Sequence, residues 1–271
     1  MSRARRWLSN ALATLYALAM YAFVFLPVGV LVLFSFQGGR FPILPFDGPS
    51  LKWYRAVLGD DDLVSATLNS LGVALVSSAL ALVLGFLAAH GLARHRLPAR
   101  GLQRALLTAP LTVSYLIIGL GLLLLFNTLG VGRSLATVGI GHAVINAPLC
   151  FAILYSQMGD HQANVERAAR DLGASAWQTL RLVSVPMLAP AILASFFLSM
   201  TFSWDEFIIA FLLSRFEVTL PVEIWGMLRS GLNPKTNAAG SLVFLVTLAL
   251  LVVAELVAWL RGARSRAGRR P

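Results

Sequence analysis

The run LVSATLNSLGVALVSSALALVLGFLAAHGLA, Leu63–Ala93, contains no Asp, Glu, Lys or Arg. A helix needs about 20 mainly apolar residues to cross a hydrocarbon core roughly 30 Å thick, whereas a barrel strand needs about 9–11. This run is long enough for one helical crossing and far too long for a strand. Working outward, comparable charge-free runs cover Trp7–Gly39, Ala105–Gly132, Ser134–Gly159, Leu182–Trp204 and Thr236–Ala254. In lipid the backbone must satisfy its own polar groups, which a helix does within one segment. The expected fold is therefore all-α, a polytopic membrane protein with six transmembrane helices near 11–34, 66–92, 105–126, 137–158, 188–212 and 241–260.

Composition leads to the same class. Of 271 residues, 58% are hydrophobic and 13% charged, with mean hydropathy +0.76; soluble domains average about 25% charged. Low hydrophobicity marks disorder, and this is the opposite case. Cys150 is the single cysteine, so no disulfide forms within the chain and a secreted disulfide scaffold is excluded. A net charge of +10 in a soluble protein would point to nucleic acid. Here the positions of the basic residues turn it into a statement about orientation.

With the N-terminus inside, the inner segments hold Arg3, Arg5 and Arg6, then Arg94, Arg96, Arg100 and Arg104, then Arg167, Arg170 and Arg181, and finally Arg261, Arg264, Arg266, Arg269 and Arg270. These are 15 of the 22 Lys and Arg residues, and the outer segments hold the remaining 7. The positive-inside rule places both termini in the cytoplasm. The first apolar run continues to Phe34 with no small-residue cleavage site, so it is expected to be an uncleaved signal anchor.

No repeat and no low-complexity linker interrupts the chain, which is expected to form one transmembrane domain over 1–271. It comprises a first span and outer segment (1–60), a core of five spans (61–260) and a basic tail (261–271). In the outer segment, Trp53 and Tyr54 are expected as interfacial anchors, and Asp60-Asp61-Asp62 as a solvated helix start. The other long connection, 159–187, lies on the inner side. Val165, Ala168, Ala169, Leu172, Ala176, Leu180 and Val183 recur there at helical spacing, predicting one amphipathic helix over 163–183 with Gly173 in its middle. Glycine in a helix costs about 1 kcal/mol against alanine, which close approach of another backbone would justify. Pro186 and Pro190 restart the chain at the membrane, where proline suits a first helical turn. Such a helix either docks a cytoplasmic partner or rests on lipid headgroups.

The residues here carry a resemblance. Glu166-Arg-Ala-Ala-Arg-Asp-Leu-Gly-Ala-Ser175, followed by Val183-Ser-Val-Pro186, resembles the signature loop of bacterial ATP-binding-cassette (ABC) importer permeases, with Ala168, Ala169, Gly173, Val183, Val185 and Pro186 at matching positions. The family's glutamate position holds Arg167, and Glu166 stands one residue earlier. The similarity extends over roughly 52–260, through Asn69-Ser70-Leu71, Arg94, Ser203-Trp-Asp-Glu-Phe207, Thr219-Leu-Pro-Val222 and Asn237-Ala238, and is greatest to spermidine/putrescine-type permeases.

The resemblance implies a type I importer permease in a bacterial inner membrane. Its loop would be a coupling helix seated in an ATPase subunit through Glu166, Ala168, Ala169, Asp171, Leu172, Gly173, Ala174 and Pro186. The implied partners are an ATPase homodimer that binds ATP and Mg, a second homologous permease, an external solute-binding protein and the bilayer, with no nucleic acid. The chain itself has no Gly-x-x-x-x-Gly-Lys-Ser/Thr run to cradle phosphates. The implied function is ATP-driven uptake of polyamines such as putrescine and spermidine. The alternatives are a related permease for iron, phosphonate or thiamine, or a gradient-driven secondary transporter, which would show inverted repeats.

Candidate path residues are Ser203, Trp204, Asp205 and Glu206, in span 5 toward its outer end. Acidic residues inside a membrane helix are costly and usually face a bundle interior or a water-filled path. In a continuous helix Glu206 aligns with Ser199 and Ser203, giving a polar stripe suited to a cationic solute. Alternatively, both acids sit hydrated at the outer mouth. Trp204 either stacks on the solute or belongs to the interfacial belt. Glu255 is expected to pair with an inner-face arginine or to pack toward another helix. The four histidines lack metal-ligand spacing, and Gly173-Ala-Ser175-Ala-Trp177 lacks the second glycine of a nucleophile elbow. Neither a metal site nor an enzyme is expected, and this chain needs no cofactor of its own.

Overall fold

The computed structural model describes residues 3–95, 97–231 and 233–267; Arg96, Arg269 and Arg270 lie outside the described residues, as does the side chain of Glu255. Among the described residues the structure is helical and contains no strand. Five helices among the described residues are long and apolar enough to cross a membrane, and a bent pair of segments makes a sixth if it forms one span. The chain divides into two compact units, Met1–Val64 with Ile224–Leu245, and Ser65–Glu223 with Val246–Pro271.

The first unit contains α1 (Arg3–Ser35), α2 (Lys52–Leu58) and the start of α12 (Pro234–Ala267). The segment after α1 is organised around buried Gln37. Its amide donates to the carbonyls of Ile43 (2.9 Å) and Pro45 (3.2 Å), and its Oε1 accepts from the Asp47 amide at 2.8 Å. Trp53 Nε1 donates to the Gln37 carbonyl at 2.8 Å, and the Tyr54 hydroxyl lies 2.7 Å from Ser35 Oγ. Both aromatics thus tie α2 back to the end of α1 by their polar ends. The acidic run does start a helix: α3 (Asp61–Arg94) opens with Asp61 and Asp62, and Asp60 Oδ1 accepts from the amides of Asp62 and Leu63, each at 3.1 Å. Asp60 also forms an ion pair with Lys235. The Lys235 hydrogen bond holds the Asp60 carboxyl below the usual aspartate range.

The second unit continues with α4 (Arg100–Thr108), a 3₁₀ turn (Ala109–Thr112), α5 (Tyr115–Thr128) and α6 (Leu135–Gln157). It goes on through α7 (Asp160–Asp171), α8 (Ala176–Thr179), a π-helical stretch (Leu180–Ser184), α9 (Val185–Trp204), α10 (Ile208–Leu213) and the start of α11 (Leu220–Ser230), whose remainder from Ile224 belongs to the first unit. One apolar cluster, including Val73, Phe126, Ile145, Ile209 and Leu213, joins α3, α5, α6 and α10. A second, including Leu92, Phe151, Leu154 and Leu188, joins α3, α6 and α9 at their other end. Gly85 lets α3 and α6 approach: a Cβ there would stand 2.6 Å from Cys150 Cβ and 2.7 Å from the Phe151 amide nitrogen. Small residues serve this purpose where helices pack in lipid.

Three expectations from the sequence need correction. The third span is not one straight helix, because Arg100–Thr112 and Tyr115–Thr128 meet at 101°. Pro110 falls in the 3₁₀ turn and Ser114 caps α5 by accepting from the Leu116 amide, so the backbone is interrupted and restarted there. The fifth span begins earlier and ends sooner than expected, running Ala176–Trp204 rather than 188–212. The helix expected over 163–183 is two helices separated by a turn at Gly173.

Candidate functional site

Glu166 lies on the inward face of α7 and is 3% exposed. Its carboxylate accepts a forked pair of hydrogen bonds from Arg94 at the end of α3, Nε to Oε2 at 2.6 Å and Nη2 to Oε1 at 3.1 Å. The Ser184 hydroxyl, from the π-helical stretch, donates to Oε1 at 2.8 Å. Burial alone would raise the Glu166 carboxyl, but the hydrogen bonds from Arg94 and Ser184, with the guanidinium charge, hold it below the usual glutamate range. One carboxylate therefore joins α3, α7 and the approach to α9. Arg167, at the family's glutamate position, is exposed.

The apolar stripe from Val165 to Val183 is not the inward face of α7. Gln162 and Glu166 are the buried residues of this helix. Tertiary hydrogen bonds to Glu166 outweigh the modest gain from burying alanines. The helix ends in a Schellman motif: the Gly173 amide donates to the Arg170 carbonyl at 2.9 Å and the Ala174 amide to the Ala169 carbonyl at 3.0 Å. Gly173 has φ +94°, and nothing lies within 4 Å of where its Cβ would stand. Within this chain, its left-handed backbone conformation is what favours glycine. Ser175 then caps α8 in a reciprocal box with Gln178, at 3.2 and 2.8 Å. The turn between the helices carries Leu172, 90% exposed. Ala168 and Asp171 are also exposed, Ala169 and Ala174 are half-buried, and Pro186 is exposed in the first turn of α9. The π-helical stretch ends two residues before this proline, and such bulges recur at functional sites.

The second candidate region lies where α9 stops. Glu206 does not continue a polar stripe along that helix. Its Oε1 accepts from the amides of Ile208 (2.9 Å) and Ile209 (3.1 Å), and its Oε2 from those of Ile209 (2.9 Å) and Ala210 (3.2 Å). The carboxylate satisfies the otherwise unpaired N–H groups that open α10. Glu206 also reaches a polar cluster across three helices. His142 Nε2, on α6, lies 3.2 Å from Glu206 Oε2, though off the line of a hydrogen bond. His142 Nδ1 lies 2.7 Å from Ser203 Oγ on α9, and Ser203 Oγ lies 2.9 Å from Ser77 Oγ on α3.

Trp204 is 2% exposed, which removes it from an interfacial belt, and its Nε1 has no hydrogen-bond partner among the described residues. Asp205 is exposed. The structure thus brings Ser203 and Glu206 into one cluster and leaves Asp205 outside it. Sequence reasoning missed His142 and Ser77 as members, and Ser184 as a partner of Glu166. His142 is 61 residues from Ser203, and Arg94 is 72 from Glu166, so no local spacing signals either pair. Among the described residues no group of His, Cys, Asp and Glu is arranged to hold a metal ion.

Residues 81–266, more than half of the chain, match the family described as binding-protein-dependent transport system inner membrane component. The chain belongs to this family. It is accordingly a permease component of an ABC importer, and its family is one of transport rather than of catalysis. Relatives cover nearly its full length. It is 28% identical over 242 residues to the spermidine/putrescine transport system permease protein PotC of Escherichia coli (strain K12), covering 89% of this chain and 91% of that one. It is 30% identical over 253 residues to the putrescine transport system permease protein PotI of the same strain, covering 90% and 88%. The fold matches that of a bacterial ABC transporter involved in the import of the acidic polysaccharide alginate, with TM-score 0.69, 20% identity and coverage of 95% of this chain and 97% of that one. A second structure of a bacterial alginate ABC transporter, in complex with alginate pentasaccharide-bound periplasmic protein, gives TM-score 0.68 at 16% identity over 93% of each chain.

Proposed function

We propose that this permease carries polyamines, putrescine or spermidine, inward across a bacterial inner membrane, with both termini in the cytoplasm. The observation that carries the reading is that two relatives named for putrescine transport align with about nine-tenths of this chain. An exposed carboxylate, Asp205, at the break between α9 and α10 supports it, since a cationic solute is drawn to such a group. Ser203, Trp204 and Glu206 support that break from within and position Asp205 on the path.

In this reading the turn formed by Ala168, Asp171, Leu172, Gly173 and Ala174 seats in a separate ATPase, present as two copies. Leu172 is the apolar knob. Glu166 does not touch the ATPase and acts as the brace that carries movement of α7 to α3 through Arg94. Ala169 and Pro186 shape the two ends of the moving unit. A second homologous permease completes the path, an external binding protein delivers the solute, and the ATPases supply the energy from ATP and Mg. The domain core is 61–260, with the coupling loop at 159–187 and the tail at 261–271.

Uptake of labelled putrescine and spermidine in cells lacking this gene, with and without its return, tests the solute. Loss on deletion and recovery on complementation is expected. Unchanged uptake, with other polyamine systems removed, overturns the polyamine reading.

A further inference from the structure

A cavity of about 650 Å³ lies among the end of α3, the start of α4 and one side of α7. Its lining holds four arginines, Arg94, Arg100, Arg167 and Arg170, and two histidines, His90 and His95, against a single acid, Glu166. Arg94 and Glu166 neutralise each other in their ion pair. Arg100 donates to the Leu92 carbonyl at 2.5 Å, a neutral partner that leaves its charge in place. Among the described residues Arg100, Arg167 and Arg170 form no ion pair. Three uncompensated guanidinium groups around one cavity are a site for an anion.

The helix that begins at this cavity indicates where the anion comes from. No residue of α4 is buried. Leu102 and Leu106, one turn apart, are 61% and 64% exposed, while Arg100 and Arg104 lie on the opposite side. With the 3₁₀ turn, α4 meets α5 at 101°. At about 1.5 Å per residue, the 14 residues of α5 span roughly 21 Å, short of a full crossing. If α5 crosses the bilayer, α4 would lie near the membrane plane as amphipathic interfacial helices do, with its leucines toward the acyl chains, while Arg100 turns to the Leu92 carbonyl and Arg104 lies over the Tyr155 ring, 5.4 Å from its centroid. Basic pockets beside membrane helices bind anionic headgroups.

We propose that this cavity holds the phosphate headgroup of an anionic phospholipid. Arg167 and Arg170 on α7 and Arg100 on α4 are its ligands, and the acyl chains lie along Leu102 and Leu106. The lipid would link the α7 loop to the bilayer at the point where the loop is braced by Arg94.

The test uses the transporter purified in mild detergent through a tag on this chain, from membranes containing phosphatidylglycerol and phosphatidylcholine. Co-purified lipid is counted by native mass spectrometry. The wild type is expected to retain phosphatidylglycerol selectively, and Arg167→Gln with Arg170→Gln to lower retention roughly thirtyfold, as loss of two surface cations implies. Arg133→Gln with Arg215→Gln, at positions outside the cavity lining, is expected to leave retention unchanged. Equal retention by the Arg167/Arg170 variant, equal retention of phosphatidylcholine, or no retained lipid in the wild type would overturn the proposal. Displacement of the lipid by equimolar glycerol 3-phosphate would overturn it too, making a soluble phosphate the ligand.

Discussion

Arg94 and Glu166 stand 72 residues apart and meet in a forked ion pair, with Arg94 Nε 2.6 Å from Glu166 Oε2. The side chains are 11% and 4% exposed, so both charges are largely withdrawn from water. Removing one partner of such a pair strands the other, at a cost of about 3–5 kcal/mol, whereas replacing both with apolar groups is often neutral. Glu166→Ala is therefore expected to lower the thermal midpoint in detergent more than Glu166→Leu combined with Arg94→Met. A larger loss in the double variant would show that the pair is not a brace.

The same pair sets a pH dependence. The folded-state Glu166 carboxyl lies below its unfolded value, so its stabilising contribution is complete above the usual glutamate range of about 4.3. It is lost as pH falls through the lower folded value, because the unfolded chain takes up the proton first. Asp60, lowered by Lys235, acts in the same direction. Acid titration of unfolding should show stability falling below about pH 4, with a shallower slope in Glu166→Gln. Identical slopes would exclude the linkage.

At Gly173, φ +94° excludes most side chains on conformational grounds while leaving space for a Cβ. A left-handed conformation costs an ordinary residue about 1–2 kcal/mol, and Asn least. Gly173→Asn is expected to retain more uptake than Gly173→Val, with both inserted at wild-type levels. Gly173→Asp is expected to abolish ATP-driven uptake, because it adds a charge beside Leu172 on the proposed docking turn. Wild-type transport in Gly173→Asp would count against docking there.

Asp205 and Glu206 are neighbours with separable roles. Glu206 accepts four hydrogen bonds from three successive amides, so Glu206→Ala should destabilise by about 0.5–2 kcal/mol, as cap removal does. Asp205→Asn should leave the thermal midpoint unchanged and raise the putrescine concentration for half-maximal uptake. Unchanged transport in Asp205→Asn would leave Asp205 a hydrated residue of no consequence for the solute.

Gly85 offers a packing test. Its missing Cβ faces the Phe151 amide nitrogen at 2.7 Å, a backbone atom that cannot swing aside. Gly85→Val is expected to separate α3 from α6 and cost about 1–3 kcal/mol, as overpacking does. Gly72→Val, with nothing within 4 Å of its Cβ, should be tolerated. Equal midpoints for the two variants would refute the close approach.

Membrane class, helical content and the place of the loop were legible in the residues themselves. Charge-free runs such as Leu63–Ala93 decide insertion segment by segment, because the cost of a charge in hydrocarbon is local. Asp60-Asp61-Asp62 and Pro186 also report on their own helical turns, since caps and ring constraints act within a few residues. The breaks were not legible. The runs Ala105–Gly132 and Leu182–Trp204 read as straight helices because hydropathy is blind to backbone direction, yet the first bends by 101°. The tertiary structure alone decided that Glu166 faces Arg94 and Ser184, and that His142, Ser203 and Ser77 meet on three helices. Those contacts depend on how helices distant in sequence pack, and the energy of a buried polar pair exists only once both partners have left water.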